Sequence, residues 1–399
     1  MILQPKKKGL TKYFRLKERW FLTFSMLIFI IWIQHVILYP NNKLFNPNNE
    51  SPNNRINTLN DESLSVPTIV DETKTCAASL GRIAIVVLAD ARAREEFRPA
   101  IRSLSCYAQK QNYTFITIDP QLFPKEYSTA QRECQRFQRD LMFWRHCIVL
   151  EILPLFDWIL AIDGDVGIFN ANKCLEDLVS DHQNLIQEER FHNGEIQAGS
   201  YMIKNGEFGR KYLKDWIQYF DKMPNVGFSN SDNGALHIHL LHYYTQDPSK
   251  LKECSDLWHR SNVLSQYDQY VGCCIKYISS SSNKNIRIIR RGHGFMRDLW
   301  VTDNAISLEV DFFLHAIKGH VMMFDSSQEL NDKCGTSEYE PIFLIKNETH
   351  NEKGISILTQ NDMKKIIHNA DVQESSKRPH SYIPTVFVRD CWPECHEFH

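Results

Sequence analysis

The chain carries almost no net charge and shows no internal repeat, and it has only one long hydrophobic run. Its 46 Lys and Arg residues nearly balance 48 Asp and Glu residues, which leaves a formal net charge of −2. Such a chain offers no electrostatic field for nucleic acid, so we exclude nucleic acid as a partner. With 399 residues, the chain is long enough to bury a large core.

The hydrophobic run predicts a transmembrane signal anchor over residues 20–39. A helix over residues 21–39 would be roughly 28 Å long, close to the hydrocarbon thickness of a bilayer. A basic cluster precedes Trp20, and basic flanks stay in the cytosol, so we expect a cytosolic tail over residues 1–19 and a luminal remainder after Pro40. The alternative is a cleaved signal peptide, which the missing small-x-small cleavage site disfavours.

Cysteine is absent before residue 76, and all 11 cysteines lie beyond the predicted anchor. This distribution is typical of an oxidising compartment, and the odd number leaves at least one thiol free or intermolecular. For the same reason, Cys391 and Cys395 favour a disulfide over a zinc site. We therefore predict a single-pass type II protein of the Golgi or ER membrane, with its folded domain in the lumen. Three glycosylation sequons would be usable there, at Asn49, Asn112 and Asn347.

The luminal part divides into three segments by composition and pattern. Residues 40–80 are rich in Asn and Pro and lack apolar periodicity, so we expect a flexible stem. Residues 81–325 carry strand and helix patterns and are predicted to form the core domain. Residues 326–399 show no pattern that we can interpret, and we assign them to a C-terminal appendage.

Strand and helix patterns alternate along the first half of the core domain. Residues 83–88 are apolar at both parities, as in a buried parallel strand, and residues 113–119 and 158–162 give two further strands. Helices are predicted between them, over residues 93–109 and along one apolar face whose residues are three or four positions apart. The pattern predicts an α/β fold with a mostly parallel sheet flanked by helices. The apolar face comprises Phe137, Leu141, Trp144, Ile148 and Ile152.

Two carboxylates separated by a glycine follow the third strand directly, at Asp163 and Asp165. Ligands of open parallel sheets bind at the carboxyl ends of the strands, where these acids stand. Buried carboxylates need a positive partner, and a divalent cation held by oxygen ligands can in turn bind phosphate oxygens. Gly164 places no side chain between the acids, so a metal ion and a phosphate can approach the backbone. The motif indicates a site for a nucleotide diphosphate, although an isolated Asp-x-Asp is more often a solvated turn.

Three later blocks accompany this motif. Residues 196–205 combine a polar residue with a small Ala-Gly-Ser turn and an apolar strand, which makes a wall where backbone can meet a ligand. Residues 229–236 open a helix with a polar cap, and residues 311–320 add an apolar strand followed by basic side chains. The candidate polar residues in these blocks are Gln197, Asp232, Asn233, His315 and Lys318.

Taken in order, these blocks resemble the GT-A superfamily of nucleotide-sugar glycosyltransferases. They are most similar to the Golgi galactosyl-, mannosyl- and xylosyltransferase group, glycosyltransferase family 34, and to a nematode family of uncharacterised type II membrane proteins with a nucleotide-diphospho-sugar transferase core. The resemblance covers roughly residues 81–325, and it implies that this segment is a GT-A-like catalytic domain. The residues that carry it are Asp163-Gly-Asp165, 197–205, 231–236 and 311–320.

The resemblance assigns metal and donor contacts to individual residues. Asp163, Asp165 and His315 would hold Mn²⁺, or Mg²⁺, against the diphosphate of a nucleotide sugar. A UDP-linked donor is favoured over a GDP-linked one. Positive charge beside the diphosphate would come from Lys318 or from one of Arg290, Arg291 and Arg297 in a glycine-hinged basic loop. A plain surface loop is the alternative.

The resemblance also assigns catalytic roles to Gln197, Asp232 and Asn233. Asp232 would stabilise an oxocarbenium-like sugar or bind sugar hydroxyls, and the alternative is that it caps the helix that follows. Gln197 stands where the family usually has asparagine, and Asn233 stands where it favours glutamine. Lys318 is spaced differently from His315 than the family's late basic residue is.

We therefore expect a metal-dependent hexosyl- or pentosyltransferase that moves a sugar from a nucleotide-diphosphate sugar to a glycan or glycoprotein acceptor in the Golgi lumen. Retention at the anomeric carbon is implied by the resemblance alone. An alternative is a catalytically inactive carbohydrate-binding or scaffold protein with the same fold, and homo- and hetero-oligomers both remain open. A luminal metal hydrolase is disfavoured, because the sequence has no second metal cluster or paired-histidine motif.

His237, His239 and His242 are expected to be packed or solvated, since only the last two share a helical face.

Overall fold

The computed structural model of the protein describes a set of segments that all belong to one compact unit, Asp71–His399. Within these segments, no helix has both the length and the apolar character needed to cross a membrane. Several predicted features lie outside the described residues, namely the anchor, nearly all of the stem, Lys318, Arg290, Arg291, Cys391 and Cys395. The described residues are 76, 79–120, 134–179, 182–190, 194–289, 295–298, 305–307, 310–315, 317, 322–324, 332–339, 343–345 and 356–377.

A six-stranded sheet forms the centre of the described structure. Its strands are β1 (Ile83–Leu88), β2 (Thr114–Ile118), β3 (Trp158–Ile162), β5 (Leu185–Glu188), β6 (Ser200–Lys204) and β7 (Ile286–Ile289), with the two-residue strand β4 (Gly167–Ile168) outside it. Their spatial order is β2-β1-β3-β6-β5-β7. Only β6 runs antiparallel to its neighbours, and every other pairing in this sheet is parallel. The prediction of a mostly parallel sheet is confirmed.

Helices cover this sheet on both faces, as predicted. Successive residues of a strand point to opposite faces, so Ile159 joins one hydrophobic core and Leu160 joins the other. The first core lies against α3 to α7, and the second lies against α2. The helices are α1 (Ala91–Glu96), α2 (Arg98–Lys110), α3 (Leu141–Ile152), α4 (Glu207–Ile217), α5 (Ser231–Tyr244), α6 (Pro248–Trp258), α7 (Leu264–Ser279) and α8 (Gln360–Lys377).

A small three-stranded sheet lies beyond the end of β3. It joins β4 to β8 (Met296–Asp298) and β10 (Phe313–His315), with β10 in the middle. Strands β10 and β8 are parallel, and their register places His315 beside Asp298. Two further strand pairs join β9 (Ala305–Ile306) to β13 (Ser356–Ile357) and β11 (Met322–Phe324) to β12 (Phe343–Ile345).

Two local predictions are wrong. The helix predicted over residues 93–109 is two helices, α1 and α2, which meet at Phe97 with φ −102° and ψ 16°. Pro99 stands in the first turn of α2 and has no N–H to donate, so it fits the start of a helix better than its interior. Leu141 does not share the buried face with Trp144, because α3 begins only at Leu141 and 42% of this residue is exposed.

Eight of the 11 cysteines form disulfides, which confirms the prediction that cysteines of this chain are disulfide-bonded. Cys76, which falls in the predicted stem, is bonded to Cys174 of the core. Cys274 is buried and carries a free thiol. The four disulfides are Cys76–Cys174, Cys106–Cys334, Cys134–Cys147 and Cys254–Cys273.

Candidate functional site

The three residues predicted as metal ligands lie together beyond the carboxyl end of β3. One oxygen from each of Asp163 and Asp165 and one ring nitrogen of His315 lie within 4.8 Å of one another. His315 Nε2 is 3.6 Å from Asp165 Oδ1. The three side chains are 37%, 17% and 19% exposed, in that order, so the cluster is partly open to solvent. Two carboxylates and an imidazole form a donor set suited to a divalent cation.

Backbone hydrogen bonds fix the two ends of this cluster to each other. The Asp163 carbonyl accepts from the Val166 N–H at 3.1 Å, which closes the turn that carries both acids. The Asp165 carbonyl accepts from the Ile317 N–H at 2.7 Å, two residues after His315. The turn after β3 and the end of β10 are therefore held side by side, although about 150 residues separate them in the sequence.

Asp298 completes the cluster and was not predicted from the sequence. His315 Nδ1 lies 2.6 Å from Asp298 Oδ1, so the ring donates to this carboxylate and its Nε2 is left to face Asp165. Burial works to lower the pKa of His315, but Asp298 and Asp165 raise it above its ordinary value. At many metal sites, a carboxylate accepts a hydrogen bond from the second ring nitrogen of a histidine ligand and so fixes the orientation and the tautomer of the ring.

Gly199 provides space beside the cluster of Asp163, Asp165 and His315. A Cβ at this position would collide with the carboxylate of Asp163. The small turn predicted from the sequence therefore lies against the first acid, since Ser200 begins β6 and pairs with Ile162 at the end of β3. Any side chain at residue 199 would displace the carboxylate.

Arg145 links the two predicted groups of acidic residues. Its guanidinium donates from Nη1 to Asp163 and from Nη2 to Asp232, with 14% of the Arg145 side chain exposed. Burial raises the pKa of Asp163 and Arg145 opposes that rise. Because 37% of the Asp163 side chain is exposed, solvent weakens the effect of burial there. Burial works to lower the pKa of Arg145, but the two acids outweigh it and raise this pKa, so the guanidinium is protonated at neutral pH.

Asp232 is buried in a network that keeps it ionised. Only 5% of its side chain is exposed, and His146 Nε2 lies 2.9 Å from Asp232 Oδ2. Burial works to raise the pKa of Asp232, but Arg145 and His146 outweigh it and lower this pKa to about 2. Burial also lowers the pKa of His146 to about 4, so the ring is neutral at neutral pH. The neutral ring donates from Nε2 to Asp232 and accepts at Nδ1 from the Tyr201 hydroxyl, 3.0 Å away.

Arg145 and His146 were not predicted from the sequence, because their roles come from contacts with residues far away in the chain. One signal was present, because the two form a polar pair inside the otherwise apolar first turns of α3. Polar side chains in such a run must find partners when buried.

Gln197 and Asn233 lie next to this network but bond within the protein. The Gln197 side-chain amide donates to Glu188 Oε2 at 2.9 Å, and 7% of Gln197 is exposed. Glu188 is buried, which raises its pKa well above the ordinary value. Asn233 Oδ1 accepts from the Ala198 N–H at 2.6 Å and so ties the small turn to α5.

The backbone is strained where α5 begins. Asn230 and Ser231 have φ of 56° and 45°, in the left-handed region that non-glycine residues rarely adopt. The Asn230 amide donates to Glu195 Oε1 at 2.6 Å, and the Ser231 hydroxyl donates to Asp140 Oδ2 at 2.7 Å. Strained residues held by surrounding contacts are typical of functional sites. Here the two strained residues immediately precede Asp232, whose carboxylate pairs with Arg145.

Two other predicted features of the sequence, the basic residue Arg297 and the histidines of α5, bond within the protein. Arg297 is buried in an ion pair with Asp311, in which Nη2 and Oδ1 are 2.6 Å apart, so its charge is already matched. His237 and His239 are buried and hydrogen-bond backbone groups, at Asn233 and Tyr212 respectively, as expected for packed histidines.

Comparison with known proteins gives the family of the chain. Residues 104–331 match the model of the family described as "Protein of unknown function, DUF273". The match covers more than half of the chain, and the chain therefore belongs to this family. No curated protein matches it.

Two solved structures show weak similarity to the chain. One is a glycosyltransferase involved in the glycosylation of the major capsid of PBCV-1, with 14% identity, a TM-score of 0.35, and coverage of 64% of this chain and 98% of that one. The other is the apo form of mouse xyloside xylosyltransferase 1, with 9% identity, a TM-score of 0.27, and coverage of 56% and 89%. Similarities of this size carry no argument about function.

Proposed function

We propose that the protein is a metal-dependent glycosyltransferase of the Golgi lumen. It would transfer a sugar from a nucleotide-diphosphate sugar, UDP-linked in preference to GDP-linked, to a glycan or glycoprotein acceptor. The observation that supports this proposal best is the cluster of Asp163, Asp165 and His315 at the carboxyl end of β3. Ligands of such sheets bind at this edge.

The residues of the cluster fit a divalent cation. Asp163 and Asp165 offer hard oxygen atoms, and His315 offers Nε2 because Asp298 holds its other ring nitrogen. The imidazole favours Mn²⁺ over Mg²⁺, since Mg²⁺ is bound almost entirely by oxygen. When bound, the cation would act as a Lewis acid on the diphosphate oxygens, which accept negative charge as the bond to the sugar breaks.

The remaining residues of the site would orient the sugar and balance charge. The Arg145 guanidinium is partly exposed between Asp163 and Asp232, where it can donate to hydroxyls of a bound sugar. Asp232 is ionised at neutral pH and is held by Arg145 and His146, so its negative charge would favour positive charge on the sugar. The fixed positions of these charges would lower the cost of reorganisation during transfer.

Nucleotide binding by the full-length chain tests the metal site. We expect UDP to bind with Mn²⁺ present and not after its removal by chelation, as measured by isothermal titration calorimetry. Asp165→Asn should abolish this binding, because it removes a charged oxygen ligand. Asp256→Asn is the matched control, since its carboxylate is 49% exposed on α6 and pairs with Lys252. Metal-independent UDP binding that Asp165→Asn leaves unchanged would contradict the assignment of the site.

Turnover separates the enzyme from the inactive scaffold. We expect Mn²⁺-dependent release of UDP or GDP when the chain is incubated with a panel of nucleotide sugars, and loss of this release in Asp165→Asn. A protein that binds Mn²⁺ and UDP but releases nucleotide from no sugar in the panel would be the scaffold instead.

A further inference from the structure

We propose that Asn112 is N-glycosylated and that its glycan covers the outer edge of strand β2, at the end of the sheet away from the metal cluster. The inference rests on the luminal location proposed above and not on the proposed activity. It starts from the sequon Asn112-Tyr-Thr114, which is the only one of the three sequons whose residues the structure describes.

The acceptor asparagine is presented to solvent. Asn112 lies in the turn between α2 and β2 and is exposed, as is Thr114 at the start of β2. Its φ of 60° is left-handed, a conformation that asparagine tolerates better than most residues. Within the described part of the chain, the side-chain amide of Asn112 makes no hydrogen bond. The amide nitrogen is therefore accessible, whereas a bonded or buried amide would have to be released first.

The residues on either side hold this turn in place. Gln111 is buried, and its side-chain amide donates to the Ala171 carbonyl at 2.7 Å. The Tyr113 N–H donates to the Ala108 carbonyl at 2.8 Å, and the Tyr113 hydroxyl donates to Glu176 at 2.5 Å. The sequon is thus exposed at its first and third residues and anchored between them, so its exposure belongs to the folded state.

The position of the turn leaves room for a glycan. Strand β2 is at the edge of the main sheet, and among the described residues it pairs only with β1. Because β1, β2 and β3 are parallel, Asn112 precedes the amino end of β2, while Asp163 follows the carboxyl end of β3. The two ends of a five-residue strand are roughly 16 Å apart. A glycan at Asn112 would therefore leave the metal cluster accessible.

A glycan in this position would also protect the sheet. Exposed edge strands carry unpaired backbone groups that can pair with another chain, and natural proteins cover or charge such edges. Strand β2 has the sequence Thr-Phe-Ile-Thr-Ile and carries no charge that would oppose such pairing. We infer that the glycan serves as its cover.

The modification requires a host enzyme and a lipid-diphosphate-linked oligosaccharide as donor. The side-chain nitrogen of Asn112 forms a bond to the anomeric carbon of the first sugar. The bond between that carbon and the phosphate oxygen breaks, the lipid diphosphate leaves with the electron pair, and one amide proton passes to a base of the host enzyme. The four disulfides are typical of the compartment in which this reaction takes place.

Peptide mapping of the full-length chain, expressed in the secretory pathway of insect cells, tests the proposal. Trypsin releases residues 111–125, which contain this sequon and no other. After glycosidase treatment in heavy-oxygen water, we expect most of this peptide to carry Asp in place of Asn112 with one heavy oxygen. Recovery of the peptide with unmodified Asn112 would overturn the proposal, whatever the state of the other two sequons.

Three variants separate the glycan from the fold. Thr114→Ser should keep the modification, while Thr114→Ala and Asn112→Asp should lose it. The last variant preserves a residue that tolerates left-handed φ. Both unmodified variants should self-associate more than the wild-type chain in light scattering, and both should bind Mn²⁺ and UDP as the wild-type chain does. Equal self-association of modified and unmodified chains would overturn the covering role, and weakened Mn²⁺ binding would overturn the placement away from the site.

Discussion

At the scale of single residues, the site depends on one arginine that serves two acids. Arg145 contacts Asp163 near the surface and Asp232 in the interior through different nitrogens of one planar group. Removing one partner of a buried ion pair is costly because it leaves an uncompensated charge. Lysine has a single ammonium group and cannot reproduce a contact that uses two nitrogens.

Arg145→Lys should therefore destabilise the fold although it keeps the charge. We expect the free energy of unfolding at pH 7 to fall by about 1–3 kcal/mol, because Asp232 or Asp163 loses its partner. Urea denaturation monitored by Trp fluorescence measures the change. Arg136→Lys is the matched control, since its pair with Asp221 is 48% and 59% exposed and should shift stability by less than about 0.5 kcal/mol. Equal effects of the two substitutions would argue against a buried bridge.

Asp298 bonds to His315, and its effect on the proposed metal site can be measured without turnover. Asp298→Asn keeps the shape but weakens the hydrogen bond that orients the ring. We expect the affinity for Mn²⁺ to fall about 10–100-fold, as is usual when the carboxylate behind a metal-binding histidine is changed. Electron paramagnetic resonance of free Mn²⁺ gives the affinity. An unchanged affinity would mean that Asp298 does not position His315.

At the scale of helices and strands, α5 carries histidines that are buried in their neutral form. Burial lowers the pKa of His237 to about 4 and of His239 to about 3. Because the unfolded chain titrates near 6.5, it binds protons between these values that the folded chain does not bind. Their contribution to stability is therefore complete above about pH 6.5 and is lost as the pH falls towards 4.

His239→Gln should flatten the acid dependence of stability. The variant removes one such group, so between pH 6 and 5 the slope of unfolding free energy against pH should decrease by up to about 1.4 kcal/mol per pH unit. Urea denaturation at several pH values measures both slopes. The difference between variant and wild type isolates this residue from buried carboxyl groups such as Glu188, whose raised pKa acts in the opposite direction. Parallel slopes would contradict the neutral buried state of His239.

The elements that the sequence predicts well are those whose local pattern is decisive. Strand β1 is predicted with its observed bounds, because its residues are apolar at both parities and a polar loop follows. The break between α1 and α2 is missed, since apolar residues continue across it and Pro99 is the only local signal. Leu141 is misassigned because the helical spacing of apolar residues begins in the sequence before Leu141, whereas the helix itself begins at this residue.

Within the candidate site, the sequence identifies residues in recognisable motifs but not their partners. The acids after β3 can be predicted, because a buried strand that ends in two carboxylates is unusual. Arg145, His146 and Asp298 cannot be predicted in the same way. Their roles depend on the packing of α3 beside α5 and on the pairing of β8 with β10, and neither leaves a local pattern.

At the scale of the whole molecule, one disulfide joins distant parts of the chain. Cys106 of α2 is bonded to Cys334, 228 residues later, whereas Cys134 and Cys147 are 13 residues apart. A cross-link stabilises the native state mainly by restricting the unfolded chain, and the effect increases with the length of the closed loop.

Removing the long-range disulfide should therefore cost more stability than removing the short one. In the chain-entropy description, the paired substitutions Cys106→Ala and Cys334→Ala should lower the free energy of unfolding by about 5 kcal/mol, against about 3 kcal/mol for Cys134→Ala with Cys147→Ala. Guanidinium denaturation under non-reducing conditions gives both values. A larger loss in the second pair would indicate that native-state packing outweighs the loop effect.

The small sheet beside β3 has a consequence for the biosynthesis of the protein. All six strands of the main sheet have been synthesised once residue 289 is added, yet β10 follows only with residues 313–315. A chain that stops between these points would contain every strand of the main sheet but not His315. Such a truncated form would keep Asp163 and Asp165 but would lack the nitrogen ligand of the proposed cation site, so we expect it to bind Mn²⁺ more weakly than the whole chain.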